Sequence, residues 1–241
     1  SGGGSARYFS WGGGLKVGGS GGGVINISLA GVFHLASGSI VEANGGAGAD
    51  GWKEFAIPSG TTRSCSSYYG NGLFDINGGG GGGGGSVVVM ASALVGNGTI
   101  EAVGGRGGMG GNTCYSRGFH GGHSGGGGGG GRIALYMHIG HFRQVNVHAQ
   151  GGSSLAGSTH IGAPGTVYTS DAGVRALTVV NSLAASVNAP VTSIDNDALS
   201  VSPILQVDTL HIVNTNVILR YEVRCTQAWI ESSRMTVHRL L

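Results

Sequence analysis

The sequence predicts an all-β protein in which glycine-rich β-solenoid repeats (β-helix-like) are followed by a second β-rich segment. Three observations carry this. Glycine makes up 53 of the 241 residues, about three times the usual ~7%. Short β-branched runs alternate apolar and polar residues as half-buried strands do. One strand pattern occurs three times, as Val41-Glu-Ala-Asn-Gly-Gly46, Ile100-Glu-Ala-Val-Gly-Gly105 and Val147-His-Ala-Gln-Gly-Gly152. Units that cannot bury a face alone, and do so by stacking, are the mark of a solenoid.

Each repeat begins with a glycine tract: Gly21–Gly23, Gly78–Gly85 and Gly125–Gly131. A strand follows each tract, in turn Val24-Ile-Asn-Ile-Ser-Leu29, Ser86-Val-Val-Val-Met90 and Arg132-Ile-Ala-Leu-Tyr-Met137. Alternation places Ile133, Leu135 and Met137 on one face, and sets Asn26 outward from Ile25 and Ile27. Without Cβ atoms, extended tracts can approach closely as polyproline-II-type helices with about 3 residues per turn. Their recurrence beside strands favours ordered packing over flexible linkers. Glycine keeps no strict three-residue period and there are only 4 prolines, which excludes collagen.

Residues 1–165 hold 52 of the glycines and 166–241 hold only Gly173, so two segments are expected with a boundary there. In the second segment Leu177-Thr-Val-Val-Asn181 matches Leu210-His-Ile-Val-Asn214. A strand over Val217–Val223 and another over Ala228–Ile230 follow, then Met235–Val237. These make further coils or a small sandwich. The strands carrying Val217, Leu219, Tyr221, Val223 and Trp229 are expected to offer an edge for assembly.

Composition excludes several functions. A net charge of +2 is too small for a nucleic-acid binder that works by counterion release. No run approaches the ~18 apolar residues of a membrane helix. The start at Ser1 suggests a processed chain or a fragment. Gly46-Ala-Gly-Ala-Asp-Gly51 and Gly105-Arg-Gly-Gly-Met-Gly110 satisfy G-x-G-x-x-G, but no helix follows either, so no dinucleotide site is expected. His120-Gly-Gly-His123 with Cys114 and Cys65 lacks zinc spacing, and Asp195-Asn-Asp197 reads as a turn; neither metal nor cofactor is expected. Glu42 and Glu101 occupy equivalent repeat positions, which argues for a structural ladder and against a catalytic pair. No nucleophile elbow is present, and no enzyme activity is expected.

Cys65 and Cys114 sit in similar polar loops. They form a disulfide in an oxidising compartment or remain free thiols, and the sequence leaves both open. Cys225 is expected to be a buried small residue in a strand. Asn97-Gly-Thr and Asn26-Ile-Ser are glycosylation sequons.

The run from Ser86-Val-Val-Val-Met90 through Gly96-Asn-Gly-Thr-Ile100 to Arg132-Ile-Ala-Leu135 and Gly165-Thr-Val-Tyr168 resembles a glycine-rich module of large secreted or cell-surface proteins with β-helix-like repeats. The resemblance implies an extracellular repetitive β structure and no catalytic residue. On polyglycine alone, the chain is more loosely similar to phage tip adhesins, whose glycine layers carry aromatic loops. The expected function is that of an extracellular structural protein, polymerising with itself into a fibre or surface layer. The alternative is an adhesin that recognises a glycan or cell-surface receptor through Tyr68, Tyr69, Tyr115 and Phe119. An ice-binding face is a weaker expectation, since no threonine ladder supports it.

Overall fold

The computed structural model describes residues 17–51, 77–115, 118–121, 123–139, 142–143, 145–154, 160–181, 191–194, 204–219, 222–231 and 233–237. Its described elements are strands, with no helix long and apolar enough to cross a membrane.

The first part repeats a three-strand unit. Its first copy comprises β1 (Val24–Ser28), β2 (Val32–Leu35) and β3 (Ile40–Glu42). The second comprises β4 (Ser86–Ala91), β5 (Ala93–Gly96) and β6 (Thr99–Glu101). After a two-strand insertion, β7 (Asn112–Tyr115) and β8 (Gly118–Gly121), the third copy follows as β9 (Arg132–Met137), β10 (Phe142–Arg143) and β11 (Asn146–His148). Successive strands enter different sheets, and equivalent strands of successive copies pair in parallel: β1-β4-β9, β2-β5-β10 and β3-β6-β11. The register matches the sequence repeat, with Val41 opposite Ile100 and Ile100 opposite Val147. Alternation gives one buried face: Val87, Val89, Ile133 and Leu135 are within 1% of full burial and pack with Leu94 and Ile100 in one core. Fully burying such a side chain contributes roughly 1.5–3 kcal/mol.

The chain then reverses. β12 (Thr166–Asp171) runs parallel to β9 and antiparallel to β13 (Val174–Val180) across Ala172-Gly173. Both turn residues have positive φ, 47° and 88°, the geometry of the type I′ turns that suit the strand twist. The second part adds β14 (Val191–Ile194), β15 (Ile204–Gln206), β16 (Thr209–Val213), β17 (Asn216–Leu219), β18 (Glu222–Arg224), β19 (Gln227–Glu231) and β20 (Arg234–Val237). Its ladders β13-β16-β19, β14-β17-β20 and β15-β18 are all parallel, unlike the antiparallel sheets of a sandwich. Thus β1-β4-β9-β12-β13-β16-β19 form one seven-stranded sheet.

That sheet has a core on each side. Val167 packs against the first core, whereas its neighbour Tyr168 on the other face packs against the second. Tyr168 registers with Leu177, and Leu177 with Leu210, both buried in the second core. Strand direction and core side invert together at the hairpin while stacking continues the same way. Thr192, 8% exposed, ties the two parts by donating to the Pro164 carbonyl at 2.8 Å.

Three expectations fail here. The stretch Val217–Val223 is not one strand, because β17 and β18 belong to different sheets. Val217 and Leu219 are 1% and 0% exposed, so they are core residues and not an assembly edge. Cys225 is exposed: it follows β18 at the corner leading into β19, and the corner carries it away from the core.

Candidate functional site

The glycine tracts form two layers extending from the strands. Tracts 17–23, 78–85, 123–131 and 160–165 make the first layer and lead into β1, β4, β9 and β12. Tracts 43–51, 102–110 and 149–154 make the second and continue β3, β6 and β11. Between layers, one row of amide-to-carbonyl bonds crosses all seven tracts: Gly46 to Ser20, Gly82 to Gly46, Gly105 to Gly82, Gly128 to Gly105, Gly152 to Gly128 and Gly162 to Gly152, at 2.7–2.9 Å.

The bonds repeat every third residue, the period of polyproline II. Gly78, Gly81 and Gly84 donate within the first layer, to His123, Gly126 and Gly129. Gly79, Gly82 and Gly85 donate across to Ala49, Gly46 and Ala43. Descending acceptor numbers against ascending donors make the layers antiparallel. Glycine is required by this close approach: a Cβ on Gly128 would meet the Gly82 carbonyl carbon at 2.5 Å. Every third position of the second layer carries a side chain instead, including Asn44, Ala47, Asp50, Val103, Arg106, Met109, Gln150 and Ser153. Two of them cap the next tract. Asn44 Oδ1 accepts from Val103 N–H, and Asp50 Oδ1 from Met109 N–H, both at 2.7 Å. The sequence signal for this was the local Gly-Gly-x period in 104–109, which the all-glycine runs 78–85 and 125–131 of the first layer do not show.

This architecture gathers the points from which the insertions leave and to which they return. The chain leaves the second layer after Gly51, Gly110 and Ser154 and re-enters the first at Asn77, His123 and His160. All six points lie at the end of the tracts remote from the three-strand units. The described points that flank 52–76, 111–122 and 155–159 therefore share one end of the layers. The first two of these connections contain seven of the chain's aromatic residues: Trp52, Phe55, Tyr68, Tyr69, Phe74, Tyr115 and Phe119. β7 and β8 form an antiparallel hairpin there, pairing Cys114 with Phe119 and Tyr115 with Gly118. Cys65, Tyr68 and Tyr69 lie outside the described residues, as do the side chains of Cys114, Tyr115 and Phe119.

Other sequence candidates separate. Asn97 is exposed between β5 and β6, and Asn26 is exposed on β1. Val223 is half-buried, Trp229 is 52% exposed, and Tyr221 lies outside the described residues, as do Asp195 and Asp197. Among the described residues no group of three or more His, Cys, Asp or Glu is placed to hold a metal. Glu42 and Glu101 stand side by side in register, and Asn44 Nδ2 donates to both, at 3.2 and 3.0 Å. A bridging amide relieves the repulsion of two stacked carboxylates. One cluster had no sequence signal. Tyr136 and Tyr168, with ring centroids 5.6 Å apart, lie near the hairpin beside Arg175, which makes a 3.7 Å ion pair with Asp208. Burial, then the neighbouring Tyr136, pushes the Tyr168 hydroxyl pKa up. The topology had to bring these strands together first.

No protein-family model, curated protein or solved structure matches this chain.

Proposed function

We propose that this chain is an extracellular β-solenoid whose glycine layers hold up a binding tip for a glycan or another surface ligand. The observation that supports this is that the chain leaves and re-enters the layers for all three connections at one end of a cross-bonded support. Loops that differ on a frame that repeats are suited to recognition. Aromatic faces stack on sugar rings, and polar loop groups fix their orientation. The test is a glycan array and cell-surface binding assay on the chain and on a variant with Tyr68, Tyr69, Tyr115 and Phe119 changed to alanine. The variant should lose binding while its melting temperature stays unchanged. Undiminished binding by the folded variant would remove the tip from the account.

Assembly into a fibre or surface layer is the second reading. It is favoured by β19, the end strand of the seven-stranded sheet among the described residues, all five of whose residues are exposed. Unpaired strand edges are templates for another chain.

A further inference from the structure

We propose that copies of this chain join end to end, β19 and β20 of one against β1 and β2 of the next, each copy turned by half a revolution about the stacking axis. This rests on the assembly reading and specifies its geometry. Strand direction and core side both invert between β12 and β13. A half-turn about the stacking axis also inverts both. A turned second copy therefore presents β1 parallel to β19 with its core on the same side, continuing the stack. An unturned copy would meet β19 with its strand direction and core side both reversed.

The facing edges match in detail. β1 and β19 have five residues each, β2 and β20 four each. In β1 the core-side positions are Ile25 and Ile27, the partners of Val87 and Val89. In β19 they are Ala228 and Ile230, the partners of Leu210 and Ile212. Both pairs are the second and fourth residues, so Ala228 would sit against Ile25 and Ile230 against Ile27. In the neighbouring sheet Phe33 of β2 and Met235 of β20 are each a second residue, and each packs, partly buried, on its own core. Ile230 is 44% exposed although it continues a core ladder. The exposed large apolar residues also concentrate at the two ends, with Val17, Val24, Leu29, Val32 and Ile40 at one and Trp229 and Ile230 at the other. Such an interface is heterologous and does not close, so it propagates.

Two blocked variants test this by sedimentation velocity: Ala228→Lys/Ile230→Lys at one end and Ile27→Lys at the other. Ile25→Lys serves in place of Ile27→Lys if melting shows that the latter does not fold. The unmodified chain should form a concentration-dependent series. Each blocked variant alone should be monomeric, its self-association at least tenfold weaker. An equimolar mixture should form dimers and nothing larger, because one good end of each kind remains. A mixture that stays monomeric, or a single variant that dimerises through like ends, overturns the proposal even if the unmodified chain assembles. An unmodified chain that stays monomeric at every concentration removes the assembly reading as well.

Discussion

Replacing Gly128 by alanine should damage the protein far more than replacing Gly126, two residues earlier in the same tract. A Cβ at position 128 would lie 2.5 Å from the Gly82 carbonyl carbon, with the carbonyl oxygen nearer still. Restoring ordinary contact requires the two tracts to separate by about 1 Å. That separation strains the bonds Gly128 to Gly105, Gly105 to Gly82 and Gly152 to Gly128, now 2.9, 2.7 and 2.7 Å. Each backbone bond contributes about 0.5–1.5 kcal/mol net, and a buried group left unpaired costs about 1–3. Losing two or three gives a destabilisation of about 3–5 kcal/mol, a large share of an ordinary domain's ~5–15. At Gly126 the nearest atom to an added Cβ is the His160 oxygen at 3.6 Å, an ordinary contact. Gly126→Ala should fall between neutral and about 1 kcal/mol stabilising, through the less flexible unfolded chain. Urea denaturation followed by circular dichroism measures both. Equal effects of the two substitutions would refute the layered packing.

Asn44→Ala should destabilise by about 1–3 kcal/mol, because Val103 N–H loses its acceptor and Glu42 and Glu101 lose their shared donor; the urea midpoint reports it, and added salt should recover part. The raised pKa of Tyr168 means the folded state holds that proton more tightly than the unfolded chain. Its contribution is complete below the ordinary tyrosine range near ~10 and is lost as pH rises through the folded value. Tyr168→Phe should therefore flatten the fall in melting temperature above that range. Ala172→Asn should stabilise the chain by about 0.5–1 kcal/mol, since asparagine tolerates the 47° φ of that turn position better than alanine; thermal melts check it.

The strands of the glycine-rich part were legible because burial imposes alternation, and alternation survives in residues such as Ile133, Leu135 and Met137. The repeat was legible because stacking puts Val41, Ile100 and Val147 in one ladder. Corners without glycine or proline were not. Leu219 to Glu222 reads as a continuous strand, yet β17 and β18 belong to different sheets. That change buries Val217 and Leu219 in the core, and the next corner leaves Cys225 exposed. The reversal at Ala172-Gly173 is a local hairpin, but the exchange of core sides across it depends on β12 pairing with β9 and β13 with β16, which alternation does not encode. In the tracts the three-residue period was hidden by its own composition: where glycine fills all three positions, required and permitted glycines look alike. Gly126 and Gly128 differ only once their neighbours are known. That the three connections leave from and return to one end of the layers likewise follows from the antiparallel packing.

If the glycine tracts are cross-bonded structure, amide hydrogen exchange read by NMR at single glycines will show it. The amides of Gly82, Gly105, Gly128 and Gly152 should be protected to a degree comparable with Val89 and Leu135 in the adjoining strands, because their opening requires the layers to part. Exchange of those four amides at the rate of an unstructured glycine linker, with Val89 and Leu135 still protected, would contradict it.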